Sequence, residues 1–429
     1  MAEDPLAQLI RGALPDPDGG PPLAVPVKSV VIERSLDGDE VALVGALDLG
    51  SRLAVVTDTD THAALGARVE RALRSAFAVE LVQLGRRPAP DDENVARIEA
   101  AAAGVDALVA VGAGTINDLC KVAAARLGRP YVVFGTAPSM NGYTAASASI
   151  ISAGVKHSVP ARAPAGAFFD LEVACRAPVP LIRAGIGECI CRPTAQADWL
   201  LAHLLLDRPY REAPFALLAA DEPELYAHSG AAVAGDLDTM ARLVRLLVLS
   251  GLGMSLCGGS EPASQGEHMI AHYLEMMWPE PEAAYHGEQT GVCAIAMAEL
   301  QARLLAVDAP PPLRPSRTDE ADFIAEFGPE RGPAAWTRFC RKRLGADRVG
   351  GVNARLARWD ELRARLSAVA RPPDELRAVI ASAGGPTRPE QVGWSAEQFD
   401  RACRGARLLR DRFSFLDLAA ELELPGATA

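Results

Sequence analysis

Three histidines lie close together in one segment of the chain, which reads SQGEHMIAHYLEMMWPEPEAAYHGEQTG from residue 264 to residue 291. The whole chain holds 7 histidines, and His268, His272 and His286 fall in this segment. His268 and His272 are four residues apart, which on a helix places them on one face. His286 follows the proline-containing sequence PEPEAAY and must return from a separate element. Neutral imidazoles in such a group can bind a divalent metal, with Zn²⁺ and Ni²⁺ as the ions we expect.

A metal site of this kind needs a carboxylate from elsewhere and keeps a position open for substrate. The sequence RAGIGECICRPTAQADW offers Glu188, at the start of a helix-like stretch. Cys189 and Cys191 are competing ligands, but helical geometry turns their side chains about 100° and about 60° away from that of Glu188. We therefore interpret both cysteines as small core residues. Spacing alone leaves an alternative open, in which the histidines belong to a helix and a loop and bind no metal.

A glycine-containing turn in VAVGAGTINDLCK leads from an apolar strand through Gly112, Gly114 and Thr115 into a helix. Glycines let backbone amides approach an anion, and a helix N-terminus offers N–H groups to a phosphate. The same pattern also occurs in simple tight connections. The turn follows the third predicted strand, which argues against the standard dinucleotide fold. Asp58 ends the strand RLAVVTD and can accept hydrogen bonds from a ribose, as in NAD sites, or act as a helix N-cap.

Short apolar strands alternate with amphipathic helices from about residue 50, which predicts a parallel sheet with helices on both faces. The predicted strands are RLAVVTD, VELVQLG, DALVAVG and RPYVVFGT, and the helices between them are THAALGARVERALRSAF, ENVARIEAAAAG and NDLCKVAAARLG. After about residue 175 only long helical periodicity remains, including a C-terminal stretch from residue 398 to residue 424. We predict a loosely docked lead-in (1–25), an α/β nucleotide-binding domain (26–172) and an all-helical metal- and substrate-binding domain (173–429).

Composition limits the class of protein. The chain has 429 residues, 49% hydrophobic and 23% charged residues, and a net charge of −12, which argues against binding to nucleic acid or to an anionic membrane. The N-terminal sequence is acidic and interrupted by proline, so we expect neither a signal peptide nor a membrane span. The 8 cysteines follow no disulfide framework, which favours reduced thiols and a cytoplasmic location.

Six segments in this order resemble the sn-glycerol-1-phosphate dehydrogenases, which belong to the wider group of metal-dependent glycerol dehydrogenases and dehydroquinate synthases. They are GAGTINDLCK, TAPSMNGYTAASASI, PARAPAGAFFDLEV, AGIGECICRPTAQADW, SGLGMSLCGGSEPASQGEHMIAH and HGEQTGV. The resemblance runs from about residue 50 to the C-terminal RLLRDRFSFLDLAAEL. It implies a dehydroquinate synthase-like or iron-containing alcohol dehydrogenase-like fold, NAD or NADP, one divalent metal and a small phosphorylated substrate. We also expect a homodimer.

The resemblance also assigns roles to individual residues. It implies that a metal is bound by Glu188, His268 and His286, and that His272 touches the substrate. It implies a cofactor site formed by Gly114, Thr115, Ile116, Asn117, Asp118, Thr136 and Ser139, to which we add Gly112 from the glycine turn and Asp58 for the ribose.

Four positions depart from the family pattern. Glu188 replaces the usual aspartate of the metal motif, Arg192 replaces a lysine, Asn141 replaces a substrate-contacting aspartate, and Ala145 replaces a cofactor-contacting serine. Glutamate is the ligand in the dehydroquinate-synthase branch, so metal binding need not be lost. Arg192 can grip a phosphate bidentately, and a salt-bridged helix residue is the alternative. We count Asn141 and Arg192 with His272 as candidate catalytic residues.

The preferred function is metal-assisted reduction of a small phosphorylated ketone by NAD(P)H, with dihydroxyacetone phosphate giving sn-glycerol 1-phosphate. Two alternatives stay open at this stage. One is a sugar-phosphate cyclase that uses NAD transiently, which Glu188 favours. The other is a descendant that binds a nucleotide or a phosphate without turnover.

Overall fold

The computed structural model of the protein describes residues 4–152, 155–279 and 284–422. The chain forms two compact units. The first unit comprises Met1–Cys189 and Glu212–Ser260, and the second comprises Ile190–Arg211 and Glu261–Ala429. The polypeptide therefore leaves the first unit, returns to it and leaves it again.

A six-stranded parallel sheet lies at the centre of the first unit, in the order β1-β8-β5-β4-β2-β3, and β6 and β7 form a separate antiparallel pair. The strands are β1 Ser29–Glu33, β2 Arg52–Thr57, β3 Ala78–Gln83, β4 Ala107–Gly112, β5 Tyr131–Gly135, β6 Ser147–Ser152, β7 Val155–Pro160 and β8 Gly166–Asp170. Every residue of β4, β5 and β8 is buried. Parallel strands covered on both faces read as continuous apolar runs, which is why β4 and β5 could be predicted.

The four predicted strands are confirmed as β2, β3, β4 and β5. Four other strands were missed. β1 lies at the edge of the sheet and is only half-buried, so its sequence SVVIE shows neither alternation nor a fully apolar run. β8 and the pair β6 and β7 follow the loop after β5, where the alternation of strands and helices ends.

The first unit holds eleven α-helices or parts of them among its described residues. They are α1 Pro5–Ile10, α2 Glu40–Gly45, α3 Thr59–Thr61, α4 Ala67–Leu73, α5 Asp92–Ala101, α6 Gly114–Leu127, α7 Leu171–Cys175, the first part of α8 Val179–Leu206, α9 Ala213–Ala216, α10 Glu222–Val233 and α11 Leu237–Cys257; a π-helical turn His62–Gly66 joins α3 to α4. Helix α11 packs against β1 and α7. This packing explains why the first unit extends beyond the boundary that we predicted at residue 172.

The N-terminal lead-in is more ordered than the sequence suggested. Asp4 caps α1 by accepting a hydrogen bond from Leu6, and Leu9 is fully buried. The guanidinium of Arg245 on α11 donates to Asp4 at 3.0 Å. An apolar helix face and an ion pair thus attach α1 to the rest of the first unit.

The regular secondary structure among the described residues of the second unit is entirely helical. It contains the end of α8, then α12 Gly266–Met277, α13 His286–Leu305, α14 Glu320–Phe339, α15 Val349–Leu356, α16 Trp359–Val369, α17 Pro373–Ser382, α18 Ala396–Gly405 and α19 Phe415–Leu422, with 3₁₀ turns Pro389–Val392 and Ala406–Leu408. Its core is formed by the apolar faces of α8, α12, α13 and α19 together with the helices between them.

The C-terminal stretch was predicted as continuous helix, and this prediction was wrong. The chain leaves the helical path after the 3₁₀ turn and starts again at α19. Asp417 explains the new start, because its carboxylate accepts hydrogen bonds from the backbone N–H of Ser414 at 2.9 Å and from the Ser414 hydroxyl at 3.3 Å. Six residues, 409–414, form the connecting segment.

One described helix, α11, is long and apolar enough to cross a membrane, with a mean hydropathy of 1.5. Its apolar window is 61% buried inside the protein. A helix of this composition that packs against a sheet is equally typical of the core of a soluble protein.

Candidate functional site

The three clustered histidines come together in the second unit. Helix α12 carries His268 and His272 one turn apart, and His286 is the first residue of α13, which packs against α12. The ring centroids lie 5.9 Å apart for His268 and His272, 5.5 Å for His268 and His286, and 5.2 Å for His272 and His286. The spacing in the sequence therefore predicted their proximity correctly.

Two glutamates fix the orientation of two of these rings. The Nδ1 atom of His268 lies 2.9 Å from Oε1 of Glu267, and the Nδ1 atom of His286 lies 2.9 Å from Oε1 of Glu275. A carboxylate accepts hydrogen bonds, so each Nδ1 carries a proton and each Nε2 presents a lone pair. Metal-binding histidines typically have such a carboxylate behind them. The two imidazoles therefore fit a divalent metal.

His272 has the opposite arrangement. Nη2 of Arg410 lies 3.1 Å from its Nδ1 atom. A guanidinium can only donate, so Nδ1 accepts and the proton of the neutral ring resides on Nε2. His272 is thus a hydrogen-bond donor at Nε2, where His268 and His286 are acceptors.

A buried carboxylate network supports the start of α12. Glu267 accepts hydrogen bonds from the backbone N–H of Gln265 at 2.7 Å and from the hydroxyl of Thr194 at 3.3 Å. Asp198 accepts from the N–H of Gly266 at 2.9 Å. Burial, followed by the charge of Glu267, raises the pKa of Asp198 to about 8. These groups hold the first turn of the helix that carries two of the histidines.

Two sets of donor atoms in the second unit are spaced closely enough to hold an ion. They are Cys191 with Glu267 and His268, and His272 with Glu275 and His286, and the donor atoms of each set lie within 4.8 Å of one another. Cys191 is fully buried, and its thiol lies 3.6 Å from the carbonyl oxygen of Thr290. Burial raises the pKa of Cys189 well above its usual value, which disfavours the thiolate that binds metals.

The glycine turn of the first unit links β4 to α6. A Cβ atom on Gly112 would lie 2.6 Å from Cβ of Ile116, and one on Gly114 would lie 3.0 Å from Sδ of Met140. The backbone N–H of Thr136, just after β5, donates to the carbonyl of Gly112 at 3.1 Å. This hydrogen bond joins the carboxyl ends of β4 and β5, next to the first backbone amides of α6.

Helix α6 holds the predicted cofactor residues Gly114, Thr115, Ile116, Asn117 and Asp118 in its first turn or just after it. Asn117 is fully buried and accepts a hydrogen bond from the hydroxyl of Tyr131 at 3.3 Å. Asp118 accepts from the backbone N–H of Ser149 at 3.0 Å. These contacts anchor the helix within the first unit.

A buried lysine connects α6 with the loop after β5. Nζ of Lys121 donates to the carbonyls of Gly142 at 2.6 Å and Ser147 at 2.9 Å, and it lies 3.4 Å from Oδ1 of Asp118. Sequence analysis did not single out this residue. The signal was its place in the sequence NDLCK, one turn after Asp118 on the same helix.

The loop after β5 carries Ser139, Asn141 and Ala145. Ser139 shares a hydrogen bond with Tyr143, which itself donates to the carbonyl of Ala137 at 2.6 Å. Ala145 is buried, and Asn141 is partly exposed. Hydrogen bonds to the carbonyls of Ala137 and Gly142 thus hold the loop on both sides of Asn141.

Asp58 acts as a helix N-cap in the structure. Its carboxylate accepts a hydrogen bond from the backbone N–H of Thr61 at 2.7 Å, and the Thr61 hydroxyl accepts one from the N–H of Asp58 at 3.0 Å. The capping alternative that the sequence left open is therefore present. The ribose contact stays a prediction.

Comparison with known proteins adds a family to this geometry. A glycerol-1-phosphate dehydrogenase [NAD(P)+] from Geobacillus stearothermophilus is 30% identical over 93% of this chain and 93% of its own length. The enzyme of the same name from Thermococcus kodakarensis is 32% identical over 64% of this chain and 77% of its own length. The family model for iron-containing alcohol dehydrogenases matches residues 31–178.

The chain belongs to the glycerol-1-phosphate dehydrogenase family. Solved structures agree on the fold. The sulfoacetaldehyde reductase from Bifidobacterium kashiwanohense, in complex with NAD+, has a TM-score of 0.60 at 15% identity and covers 92% of this chain and 96% of its own. An iron-containing alcohol dehydrogenase from Thermococcus thioreducens has a TM-score of 0.60 at 14% identity, with 91% and 95% covered.

Within this family, the positions that depart from the usual pattern have defined surroundings. Glu188 is buried in the third turn of α8, which begins nine residues earlier at Val179. The sequence predicted that it lies at the start of a helix-like stretch, and this was wrong, because the helix already begins at Val179. A Cβ atom on Gly185 would lie 1.8 Å from the carbonyl oxygen of Pro138. The absence of a side chain here therefore lets α8 pack closely against the backbone of Pro138.

Arg192 has a partner other than the phosphate that the sequence suggested. Its Nη1 atom donates to Oε1 of Gln196, one turn along α8, at 2.5 Å. The amide of Gln196 in turn donates to the hydroxyl of Tyr210 at 3.0 Å. In this glycerol-1-phosphate dehydrogenase family member, Arg192 is therefore engaged along its own helix.

Proposed function

We propose that the protein catalyses the NAD(P)H-dependent reduction of a small phosphorylated ketone, with dihydroxyacetone phosphate giving sn-glycerol 1-phosphate. The observation that supports this most is the division of roles among three neighbouring imidazoles. Two present lone pairs at Nε2, and His272 presents a proton at the same atom. A reductase of this type needs a metal site and a proton donor close to each other.

The metal ligands are proposed to be Glu188, His268 and His286, with Zn²⁺ or Ni²⁺ as the ion. A bound divalent ion would polarise the ketone oxygen and stabilise the negative charge that develops on it. Glu267 and Glu275 keep the ligand imidazoles in the tautomer that can bind a cation. Glu188 is longer than the aspartate of the family pattern, and it is buried within α8, which fixes the position of its backbone.

His272 is proposed to hold the proton for the substrate oxygen. A bound nicotinamide would supply the hydride for the carbonyl carbon. Nε2 of His272, or a water bound to it, would relay a proton from solvent to the oxygen, so that the imidazole is neutral again after the transfer. Asn141 is proposed to accept a hydrogen bond from the substrate hydroxyl, where the family pattern has a charged aspartate.

NAD(H) is proposed as the preferred cofactor, bound by the first turn of α6, Thr136 and Ser139. The carboxylate of Asp58 would repel the 2′-phosphate of NADP(H) and accept a hydrogen bond from a ribose hydroxyl. Calorimetric titration with both cofactors tests this choice, and equal or tighter binding of NADP(H) would contradict it. A homodimer in the cytoplasm completes the proposal.

The proposed reaction can be tested on protein reloaded with Zn²⁺ or Ni²⁺. NADH oxidation would be followed by absorbance with dihydroxyacetone phosphate, and with unphosphorylated dihydroxyacetone as the control. A stereospecific glycerol-3-phosphate dehydrogenase would not oxidise the product if it is sn-glycerol 1-phosphate. The variant H268A should lose both metal and turnover, whereas H272Q should lose turnover and keep its metal.

Metal-loaded protein that leaves NADH unchanged with every phosphorylated ketone would contradict the proposal. Metal-dependent phosphate release in that case would instead support the cyclase alternative. Binding of nucleotide without either reaction would support a non-catalytic role.

A further inference from the structure

Helix α8 contains a proline four residues after Cys189, and this proline leaves one backbone carbonyl of the helix without its usual donor. In a regular α-helix the N–H of residue 193 would donate to the carbonyl of residue 189. Pro193 has no N–H, and a proline ring crowds the carbonyl four residues earlier. The carbonyl oxygen of Cys189 therefore needs a donor from outside α8, because a backbone acceptor kept from water without a donor is costly.

The hydroxyl of Tyr226 lies where this donor is needed. It is 3.3 Å from the carbonyl oxygen of Cys189 and 3.2 Å from Oε1 of Glu222, which is one turn earlier on α10. These two oxygens share the single proton of the phenol. The side chains of Tyr226 and Glu222 are both buried, and all three residues belong to the first unit. The phenol thus replaces the helical donor that Pro193 cannot provide.

Helix α10 presents this hydroxyl from a fixed position. Nε of Arg245 on α11 donates at 2.8 Å to the carboxylate of Asp221, directly before α10. Helix α10 packs along α11, and α11 packs against β1 and α7. Tyr226 therefore connects the third turn of α8 to a pair of helices that is attached to the sheet.

Glu188, the proposed carboxylate ligand of the metal, directly precedes Cys189. A helix bends most easily where a proline interrupts its hydrogen bonds, and a bend at this place would move the backbone of Glu188. A site of this kind works only when its groups are held within about 0.5 Å of their positions. Glutamate also has one more rotatable bond than the aspartate of the family pattern, so a fixed backbone matters more here.

We propose that Tyr226 is a positioning residue for the metal ligand Glu188, and that it acts through the carbonyl of Cys189 that Pro193 leaves without a helical donor. This role rests on the proposed function, in which Glu188 binds the metal. Tyr226 would touch neither the metal nor the substrate. Helix α10 would thereby contribute to the metal site without supplying a ligand.

The test compares the full-length wild type with Y226F, P193A and the double variant P193A/Y226F. Affinity for Zn²⁺ is measured by competition with a chromophoric chelator, which requires no turnover. We expect Y226F to bind Zn²⁺ about 10-fold more weakly, as when other groups that orient a metal ligand are removed. P193A provides an N–H that can donate to the carbonyl of Cys189. Adding Y226F to P193A should therefore change the affinity by less than about 2-fold.

Y131F is the matched control, because Tyr131 is a buried tyrosine of the same unit whose hydroxyl donates to Asn117 at 3.3 Å. This variant should lose stability, keep its Zn²⁺ affinity and show no coupling to P193A. Chemical unfolding of the metal-free variants follows the hydrogen bond itself. Y226F should lower the unfolding midpoint when Pro193 is present and change it little in P193A. If Y226F does not fold, rescue of folding in P193A/Y226F would support the hydrogen bond, and failure of both would contradict it.

Equal losses of Zn²⁺ affinity on adding Y226F to the wild type and to P193A would overturn the role of Tyr226. Wild-type affinity in Y226F, when E188Q has lost its metal, would also overturn it and would leave the proposed function unaffected. By contrast, the expected coupling in a protein that turns over no phosphorylated ketone would support Tyr226 as a positioning residue and contradict the proposed reaction.

Discussion

The carboxylate of Glu275 lies 2.9 Å from Nδ1 of His286, so the ring of this histidine is held with its Nε2 atom available to a metal. Both residues belong to the second unit, Glu275 on α12 and His286 at the start of α13. An anionic hydrogen-bond acceptor fixes the tautomer of the ring and also makes it a more basic ligand.

Replacing Glu275 by alanine should weaken metal binding about 10- to 100-fold, and E275Q should have a smaller effect because an amide oxygen still accepts the hydrogen bond. Competition with a chromophoric chelator measures the affinity directly and requires no turnover. E397Q, an exposed glutamate on α18, is the matched control. If E275A binds metal with wild-type affinity, Glu275 does not contribute to metal binding through His286.

Lys121 should stabilise the first unit and the proposed cofactor site. In the variant K121M the carbonyls of Gly142 and Ser147 lose their charged donor, which costs roughly 1–3 kcal/mol for each buried group left without a hydrogen bond. We expect a lower midpoint of chemical unfolding and weaker NAD(H) binding, measured by denaturation and calorimetry. A K121M protein of wild-type stability would refute this role.

Asp198 should make the stability of the metal-free protein depend on pH. Its pKa rises from 3.8 to about 8 on folding, so the folded protein binds more protons than the unfolded chain between these values. The contribution of Asp198 to the free energy of unfolding is therefore greatest below pH about 4. This contribution is lost as the pH rises from about 4 through about 8. The loss should be on the order of a few kcal/mol.

The variant D198N isolates this contribution. It should be less stable than the wild type at low pH, because its amide cannot accept from all three N–H donors around Asp198. Its unfolding free energy should change less between pH 5 and pH 8. Parallel pH profiles for the two proteins, measured by denaturant titration after removal of metal, would contradict the raised pKa.

Gly185 should tolerate no side chain. A Cβ atom there would lie 1.8 Å from the carbonyl oxygen of Pro138, a backbone atom that cannot turn away. We expect G185A to lose about 1–3 kcal/mol or more of stability, as overpacked cores do. By contrast, G104A should be tolerated, because a Cβ atom on Gly104 would meet no other atom within 4 Å. Thermal unfolding of both variants compares them directly, and equal melting temperatures would disprove the close contact.

Burial determined which parts of the fold could be predicted from the sequence. Strands such as β4 are buried along their whole length and therefore appear as apolar runs of recognisable size. The edge strand β1 is half-buried and gives no such run. The C-terminal break was missed because the apolar periodicity of ARLLRDRFSFL continues through it. The evidence for the break is a single capping pair, Ser414 and Asp417, whose effect depends on tertiary position.

Part of the candidate site could also be predicted from the sequence, in this case from helical spacing. The spacing of His268 and His272 implies a shared helix face, and the structure confirms that they are neighbours. Arg410 gave no signal, because an arginine in a predicted helix is usually solvated. Its partner His272 is more than 100 residues away in the sequence, so only the folded chain shows the contact. Lys121 gave no signal either, because its acceptors, the carbonyls of Gly142 and Ser147, are known only from the folded chain.

The order of the two units along the chain has a consequence for biosynthesis. The first unit includes α11, which packs against β1 and α7, and its last residue is Ser260. When the last strand of the sheet, β8, has been translated, α11, which packs against the edge strand β1, has not yet been made. Domains generally fold as units during synthesis, which adds about 5–20 residues per second. Translation of α11 would therefore be complete only several seconds after that of the sheet. A chaperone that shields β1 during this interval would act before any of the three clustered histidines has been translated.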